Sequence, residues 1–446
     1  MKRFCCVIAA LLLTTSAFAG PPPFVSALPN KQPLIQESSW QTSIPFWGMP
    51  HVSQAVGSTV LTFGEDFAVD GTFSAVQLVF QNTGSYVQTL GAVDVSSSAS
   101  YSKIVTPVDA NGTALTWIPV TVNGSTSITL PAASTTVQPS LTLSDIIPMK
   151  SLARTDGGTK SLIFTRYLSP AAGQKFDTGI MSGAAFFTQY ANDSGGRSVQ
   201  AYFGGGDFVS TNQKRLTDTN AAIGNLYNYV VGVRFLSSTR SVTIMGAGDS
   251  LTTGLKTRSG YNGFGLQATV RLAKSTGLSF NYEAHGYPAQ HSTDFVASAI
   301  ALINLAPPNV LTVTIDSPND YTGVTGAANI AATRLAMQTR IMSLVDYAQS
   351  KGIMVALLSP IPFATYDTVA NYGIDRVKSG DFVRHLTVRD MVVVDAQTII
   401  SGFMPTQTNL PILPLRDVAD DGAHLSDVAQ GYIATVLAQK LMPYLN

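Results

Sequence analysis

Two patterns of hydrophobic and polar positions divide the chain at about residue 240. From about residue 36 to residue 240, short stretches rich in Val, Thr, Phe and Tyr alternate with turn signals, which indicates antiparallel strands. Ser74–Phe80 and Thr126–Leu130 are examples of such strands. The dipeptides Asn111-Gly112 and Asn123-Gly124 predict type I′ turns, which need positive φ at both central positions. This part is predicted to form an all-β sandwich or jelly roll.

From residue 241 onward, predicted strands alternate with predicted helices, and the strand interiors are almost continuously apolar. The strands are Ser241–Gly246, Leu278–Ala284, Asn309–Ile315, Gly352–Leu358 and Met391–Val394, and the helices are Phe264–Ser275, Asp294–Asn304, Ala327–Ser350 and Ser426–Leu441. Such strands are typical of a parallel sheet that is buried on both faces. We expect a flavodoxin-like three-layer α/β/α domain, with its ligand crevice at the carboxyl ends of the strands.

The N-terminus has the pattern of a secretory signal peptide. Lys2 and Arg3 precede an apolar run from Phe4 to about Leu13, and Ala17-Phe18-Ala19 fits a cleavage site. The apolar run is too short to span a bilayer, so no transmembrane segment is expected in the mature chain. We therefore expect a secreted or periplasmic protein. The predicted organisation is a signal peptide (1–19), a Pro-rich leader (20–35), a β-sandwich domain (36–240) and an α/β domain (241–446).

Composition excludes several classes of function. The chain has 27 basic and 27 acidic residues, so it lacks the excess of positive charge that nucleic-acid binding needs. Its only two cysteines, Cys5 and Cys6, lie in the predicted signal peptide, which leaves no disulfide and no cysteine-ligated metal in the mature chain. The histidines form no metal-binding motif. We expect neither a metal nor another cofactor.

Two short segments carry candidate chemistry. Gly248-Asp249-Ser250-Leu251 directly follows the first predicted strand of the α/β domain, where such sheets place their sites. Asp421-Gly422-Ala423-His424 precedes the last helix, and a carboxylate three residues before a histidine can orient its ring as a base for a serine. Taken singly, each segment is also explained as a helix cap, the second beside a surface histidine.

Together, a strand-one serine and an Asp-x-x-His before the last helix resemble the SGNH or GDSL hydrolases, from Val242 to the end of the chain. The resemblance implies that Ser250 is the nucleophile, that His424 is the base and that Asp421 orients it. It also implies an oxyanion hole built from the Ser250 and Gly286 N–H groups and the Asn319 amide. Asp249 is implied to hold the nucleophile turn.

The sequence departs from this family in two places. The block that is usually Gly-x-Asn-Asp reads Ser317-Pro318-Asn319-Asp320, so Ser317 replaces a glycine. Glu283-Ala284-His285 before Gly286 is not the common asparagine-containing form. His285 and His291 lie near Gly286 in the sequence. Each is either a residue that lines the substrate pocket or an ordinary polar or packing residue.

The first half of the chain is similar to the β-sandwich that precedes the catalytic domain in some secreted two-domain GDSL esterases. The expected function is a secreted serine esterase acting on short-chain esters, of which acetyl groups on polysaccharides are favoured and small lipid esters remain open. An O-acyltransferase with the same triad remains an alternative. So does a carbohydrate- or surface-binding protein with a decayed hydrolase domain, in which Trp40, Trp47 and Trp117 would be the candidates for stacking on sugars, although a core position is favoured for them.

Overall fold

The computed structural model describes most of the chain after residue 39. The described residues are 40–43, 51–55, 61–82, 87–100, 107–133, 140–168, 175–179, 199–205, 229–254, 262–287, 289–362, 370–386, 391–401 and 424–445. The predicted signal peptide and Pro-rich leader lie outside these ranges, as do Trp47 and Asp421.

The described residues up to Ser237 form antiparallel β-structure. The strands are β1 (Trp40–Ser43), β2 (His51–Ala55), β3 (Leu61–Val69), β4 (Phe73–Gln81), β5 (Gln88–Leu90), β6 (Val93–Ser98), β7 (Ile118–Pro119), β8 (Ile128–Leu130), β9 (Leu141–Leu143), β10 (Ile147–Pro148), β11 (Ser161–Leu168), β12 (Lys175–Gly179), β13 (Val199–Gly205) and β14 (Val230–Ser237). One five-stranded sheet has the order β1-β14-β4-β10, with β9 also paired to β4, and the other has the order β13-β3-β11-β6-β7. Apolar side chains from both sheets, including Val76, Phe235, Phe67 and Ile163, share one buried cluster, so the predicted sandwich is confirmed.

The two predicted hairpin turns have different outcomes. Asn123 and Gly124 both have positive φ (51° and 76°), and Val122 and Ser125 exchange backbone hydrogen bonds, which confirms the type I′ turn there. At Asn111-Gly112 the prediction is wrong, because only Gly112 has positive φ. Asp109 instead accepts hydrogen bonds from the backbone of Asn111 and of Thr113, both 2.8 Å, and this side-chain cap favours a longer turn.

The residues from Ser241 onward form a parallel α/β structure. Its strands are β15 (Ser241–Asp249), β16 (Ser279–Tyr287), β17 (Val310–Thr314), β18 (Met354–Leu358) and β19 (Met391–Val394), and its helices are α1 (Ser250–Thr253), α2 (Phe264–Thr276), α3 (Ser292–Leu305), α4 (Ala327–Ser350), α5 (Ala370–Arg384), α6 (Ala396–Ser401) and α7 (Asp427–Leu441). The strand order β16-β15-β17-β18-β19 confirms the predicted flavodoxin-like sheet. All its strand pairs are parallel, which places their carboxyl ends at one edge of the sheet.

Alternate residues of β15 bury their side chains on opposite faces of this sheet. Val242 and Ile244 belong to the apolar cluster that contains residues of α2 and α7, whereas Met245 and Ala247 belong to the cluster that contains residues of α3 and α4. The helices therefore cover both faces, as the apolar strands predict.

The antiparallel and parallel parts share buried structure. Val79 of β4 and Val231 of β14 lie in the same buried cluster as Met245 of β15. At the edge strand β16, the Phe280 N–H donates to a carboxylate oxygen of Asp70, 3.1 Å away. The turn between β3 and β4 thus satisfies a polar group of an edge strand that would otherwise face solvent.

Candidate active site

The turn that carries Ser250 connects β15 directly to α1. Asp249 caps this short helix: its Oδ1 accepts a hydrogen bond from the Leu251 N–H at 2.9 Å. Such a cap holds the serine backbone in the first turn of a helix, where free N–H groups favour negative charge. Ser250 itself is only 6% exposed. The turn predicted from Gly248-Asp249-Ser250-Leu251 is therefore present at the carboxyl end of β15.

His424 lies beside this serine. Its Nε2 is 3.0 Å from the Ser250 Oγ, the contact that the sequence predicts across 174 residues. With the ring proton on Nδ1, Nε2 accepts the serine hydroxyl proton. The structure therefore brings together the predicted nucleophile and the predicted base.

Helix α7 anchors the histidine through Gln430. The Gln430 amide donates to the Leu251 carbonyl at 3.1 Å, and its oxygen accepts from the Phe264 N–H at 3.0 Å. Since Gln430 is buried, both bonds are shielded from water and tie α7 to α1 and α2. This fixes the segment that begins at His424 against the nucleophile turn. Asp421, the predicted orienting carboxylate, lies outside the described residues, and its role stays a prediction.

The predicted oxyanion donor Asn319 lies in a 3₁₀ turn, Pro318–Tyr321, that follows β17. Its amide Nδ2 donates to the Gln290 carbonyl at 2.9 Å, which fixes the orientation of the amide plane. An asparagine amide carries two N–H groups, so one remains for a substrate oxygen. The turn is held further by Asp320, whose carboxylate accepts from the Ser292 N–H (2.7 Å) and the Ser292 hydroxyl (2.8 Å) at the start of α3.

Gly286 lies in β16 beside the nucleophile turn, in register with Gly248 of β15. A Cβ at position 286 would lie 2.9 Å from the Asp249 carbonyl oxygen and 2.9 Å from the Thr253 Cγ2. Real Cβ atoms do not approach so closely, so this position requires glycine. Its N–H as an oxyanion donor stays a prediction from the resemblance.

A buried hydrogen bond links the nucleophile turn to the Asn319 turn. The Ser317 hydroxyl donates to Asp249 Oδ2 at 2.5 Å, and both residues are buried. Burial raises the pKa of the Asp249 carboxyl, while the bonds from Ser317 and Leu251 and the charges of Arg376 and His424 lower it. The serine that replaces the family glycine therefore stabilises the ionised form of Asp249.

A buried ion pair lies next to this link. Arg376 of α5 and Asp316, which precedes Ser317, are both fully buried, with Arg376 Nη1 3.7 Å from Asp316 Oδ1. A buried charge needs such a partner. The positive charge of Arg376 lowers the pKa of Asp249, and no sequence pattern identifies either residue of the pair.

Other candidate histidines and tryptophans lie in the core or at the surface. His285 is fully buried in β16, so it does not line a solvent-accessible pocket, and His291 is exposed at the N-cap position of α3, where its side chain makes no capping hydrogen bond. Trp117 is buried, with the Arg166 guanidinium 4.3 Å from its ring centre, so it is a core residue. Trp40 is half-buried beneath Arg234.

The described ranges contain no group of three or more His, Cys, Asp or Glu side chains that could bind a metal. None of the helices that the structure describes is long and apolar enough to cross a membrane.

Comparison with known proteins gives structural matches only. No family model and no curated protein matches the chain. Similar solved structures include a family 3 carbohydrate esterase from Clostridium thermocellum (17% identity, 46% of this chain and 97% of that chain, TM-score 0.33). A second is the lipase Lip_vut3 from a goat rumen metagenome (13% identity, 46% of this chain and 97% of that chain, TM-score 0.36). A third is a GDSL-like lipase from Bacteroides thetaiotaomicron (18% identity, 45% of this chain and 88% of that chain, TM-score 0.32).

These likenesses are too distant to assign an activity to this chain. The order of the parallel sheet, the turn at Ser250 and the contact with His424 are observed in this chain itself and do not depend on them. The chain resembles the SGNH or GDSL hydrolases in its motifs, in its fold and in the placement of its serine and histidine.

Proposed function

We propose that the protein is a serine ester hydrolase in which Ser250 is the nucleophile and His424 is the general base. The observation that carries this proposal is the 3.0 Å contact between Ser250 Oγ and His424 Nε2, at the start of a capped helix. A serine is a weak nucleophile unless an adjacent base removes its proton, and this geometry supplies that base. Asp421 is the proposed partner of the histidine Nδ1–H.

The proposed reaction is a double displacement. As His424 takes the Ser250 proton, Oγ bonds to the ester carbonyl carbon and forms a tetrahedral oxyanion. The oxyanion collapses, the C–O bond to the alcohol breaks, and the imidazolium returns its proton to the leaving alcohol oxygen. His424 then deprotonates a water molecule, which attacks the acyl-serine and releases the carboxylic acid and the free hydroxyl of Ser250.

The proposed oxyanion hole combines the N–H groups of Ser250 and Gly286 with the Asn319 amide. Donors held in place before the reaction stabilise charge that develops in the transition state, and each is worth about 3 kcal/mol. Support comes from the bond between Asn319 Nδ2 and the Gln290 carbonyl, which restrains the amide before substrate binds.

The proposed substrates are short-chain esters outside the cytoplasm, and acetyl groups on polysaccharides in particular. The support is the signal-peptide pattern of residues 1–19 together with the β-sandwich that precedes the catalytic part. We propose a secreted or periplasmic location on the same grounds.

Hydrolysis of p-nitrophenyl acetate by the mature chain, beside Ser250→Ala, tests the reaction. Ser250→Ala is expected to lower kcat at least about 10³-fold. Ser359→Ala is the matched control, since this buried serine also lies at the carboxyl end of a strand but bonds to Asp395 and Gln397 instead. Equal rates for wild type and Ser250→Ala would contradict the proposal.

The choice of substrate needs a separate comparison. Wild-type rates are expected to fall with acyl length, from p-nitrophenyl acetate to butyrate to octanoate. Acetate release from acetylated xylan is also expected. A preference for octanoate would contradict the short-chain proposal. Acyl transfer to an added sugar alcohol, faster than hydrolysis, would instead favour the O-acyltransferase.

A further inference from the structure

We propose that the Ser317 hydroxyl is a positioning group for this reaction, because it joins the turn that holds the nucleophile to the turn that holds the Asn319 amide. The inference rests on the proposed ester hydrolysis. It gives a function to the residue at which this chain departs from the Gly-x-Asn-Asp pattern. Glycine has no side chain with which to make such a hydrogen-bonded link.

The first half of this link is the hydrogen bond to Asp249. Ser317 Oγ donates to Asp249 Oδ2 at 2.5 Å, while Asp249 Oδ1 accepts from the Leu251 N–H at 2.9 Å. The carboxylate is thus held at both oxygens, once by the 3₁₀ turn after β17 and once by the nucleophile helix. Removing the hydroxyl leaves one oxygen of a buried carboxylate without this donor.

The second half is the bond to the Asn319 turn. Ser317 Oγ accepts from the Asn319 backbone N–H at 3.3 Å and lies 3.3 Å from the Gln290 carbonyl, the group that also accepts from the Asn319 amide. One hydroxyl therefore contacts the backbone of the proposed oxyanion donor and the carbonyl that orients its side chain. The Ser317 side chain is fully buried, so water does not substitute for these bonds.

The geometry accounts for an effect on rate rather than on binding. Ser317 touches no reacting atom: it acts through Asp249 on Ser250, and through the turn backbone on Asn319. Loss of these Ser317 hydrogen bonds allows the nucleophile and its oxyanion donor to move relative to each other. A displacement of about 1 Å can lower the rate about 10²-fold. Contacts with the rest of the substrate stay in place, so KM is expected to change little.

The test compares Ser317→Ala with Ser359→Ala in the mature chain on p-nitrophenyl acetate. The two serines are matched, because each is fully buried, donates to a carboxylate and accepts from a backbone N–H of a helical turn. Ser317 bonds to Asp249 and the Asn319 N–H, and Ser359 bonds to Asp395 and the Gln397 N–H. The concentration of active sites is measured by titration with a fluorophosphonate probe, so that any loss of folded protein is separated from a loss of rate.

We expect Ser317→Ala to lower kcat per titrated site by about 10- to 100-fold with KM within about 3-fold, and Ser359→Ala to leave kcat within about 3-fold. The rate constant for modification of Ser250 by the fluorophosphonate should fall with kcat. Equal kcat values for Ser317→Ala and Ser359→Ala would overturn the proposal.

Three further variants keep the result interpretable. If Ser317→Ala does not fold, Ser317→Cys fills a similar volume with a much weaker donor, and Ser359→Cys is its control; the same difference in kcat is expected. Ser250→Ala is measured in parallel. Inactive Ser250→Ala with unaffected Ser317 variants would reject the positioning role alone, whereas an inactive wild type, or an active Ser250→Ala, would reject the proposed function itself.

Discussion

Glu283 and His285 lie two positions apart on β16, so their side chains point to the same face of the sheet, and both are fully buried. Burial lowers the pKa of His285 to about 3. Burial also holds the pKa of the Glu283 carboxyl well above its usual value, which the Thr42 hydroxyl only partly opposes. Because the pKa of His285 is lowered and the pKa of Glu283 is raised, the two residues link stability to pH with opposite signs.

His285 is expected to make the protein sensitive to acid. Because its folded pKa lies below its ordinary value of 6.5, the stability it contributes is complete above that pH and is lost as the pH falls toward about 3. Between pH 7.5 and pH 5, wild type should lose about 2 kcal/mol of unfolding free energy relative to His285→Gln. Urea unfolding at the two pH values measures this, and an unchanged difference would contradict it.

Glu283 is expected to act in the opposite direction. Its folded pKa lies above its ordinary value, so its contribution is complete at acid pH and decreases as the pH rises toward the folded pKa. The unfolding free energy of Glu283→Gln should therefore rise relative to that of wild type between pH 4 and pH 8. The same urea titrations report the result, and a relative stability of the variant that falls over this pH range would refute the assignment.

At the scale of elements, the sequence predicts the strands of the parallel sheet because their interiors are apolar, but it misses α5 and α6. The inner face of α5 is partly polar: beside the buried Val377 and Val383, Asp375 and Arg376 are buried and paired with Arg334 and Asp316. Apolar periodicity cannot identify a helix that is held by ion pairs to residues distant in sequence. Helix α4 (Ala327–Ser350) has the predicted bounds, and the other predicted helices agree with the structure to within two residues at each end.

The close approach of β16 to the nucleophile turn gives a prediction at this scale. In Gly286→Ala the new methyl group would press on the Asp249 carbonyl, and kcat should fall at least about 10-fold. Gly277→Ala is the control: Gly277 ends α2 with φ of 69° and has open space around it, so alanine there costs about 1 kcal/mol of stability but leaves kcat unchanged. Parallel loss of kcat in both variants would show that general destabilisation is the cause.

At the scale of the whole molecule, residues from Pro33 to the C-terminus form one compact unit. Strand pairing changes from antiparallel to parallel after β14, and the two parts share buried apolar residues. The sequence cannot reveal this, because Val79 and Val231 look like ordinary sandwich positions until their contacts with the parallel sheet are known.

We therefore expect residues 241–446 not to fold stably alone. Removal of the sandwich would remove Val79 and Val231 from the buried cluster that contains Met245 and would leave the Phe280 N–H at an open strand edge, which promotes aggregation. Soluble yield and cooperative urea unfolding, measured beside the mature chain, test this. A truncated chain that unfolds cooperatively at a similar urea concentration would contradict it.

The chemistry of the site is only partly readable from sequence. Ser250 and His424 are found because their motifs lie at the two ends of one α/β unit, and the structure brings them to 3.0 Å. The contact of Ser317 with Asp249 joins residues 68 positions apart, and no local pattern indicates it.

Covalent labelling shows whether Ser250 is a nucleophile activated by His424. The mature chain is treated with a fluorophosphonate, digested, and the modified residue is located by mass spectrometry. We expect one adduct per chain, on Ser250, formed at least about 10²-fold more slowly in His424→Ala. Labelling of a different residue, or an equal rate in His424→Ala, would contradict it.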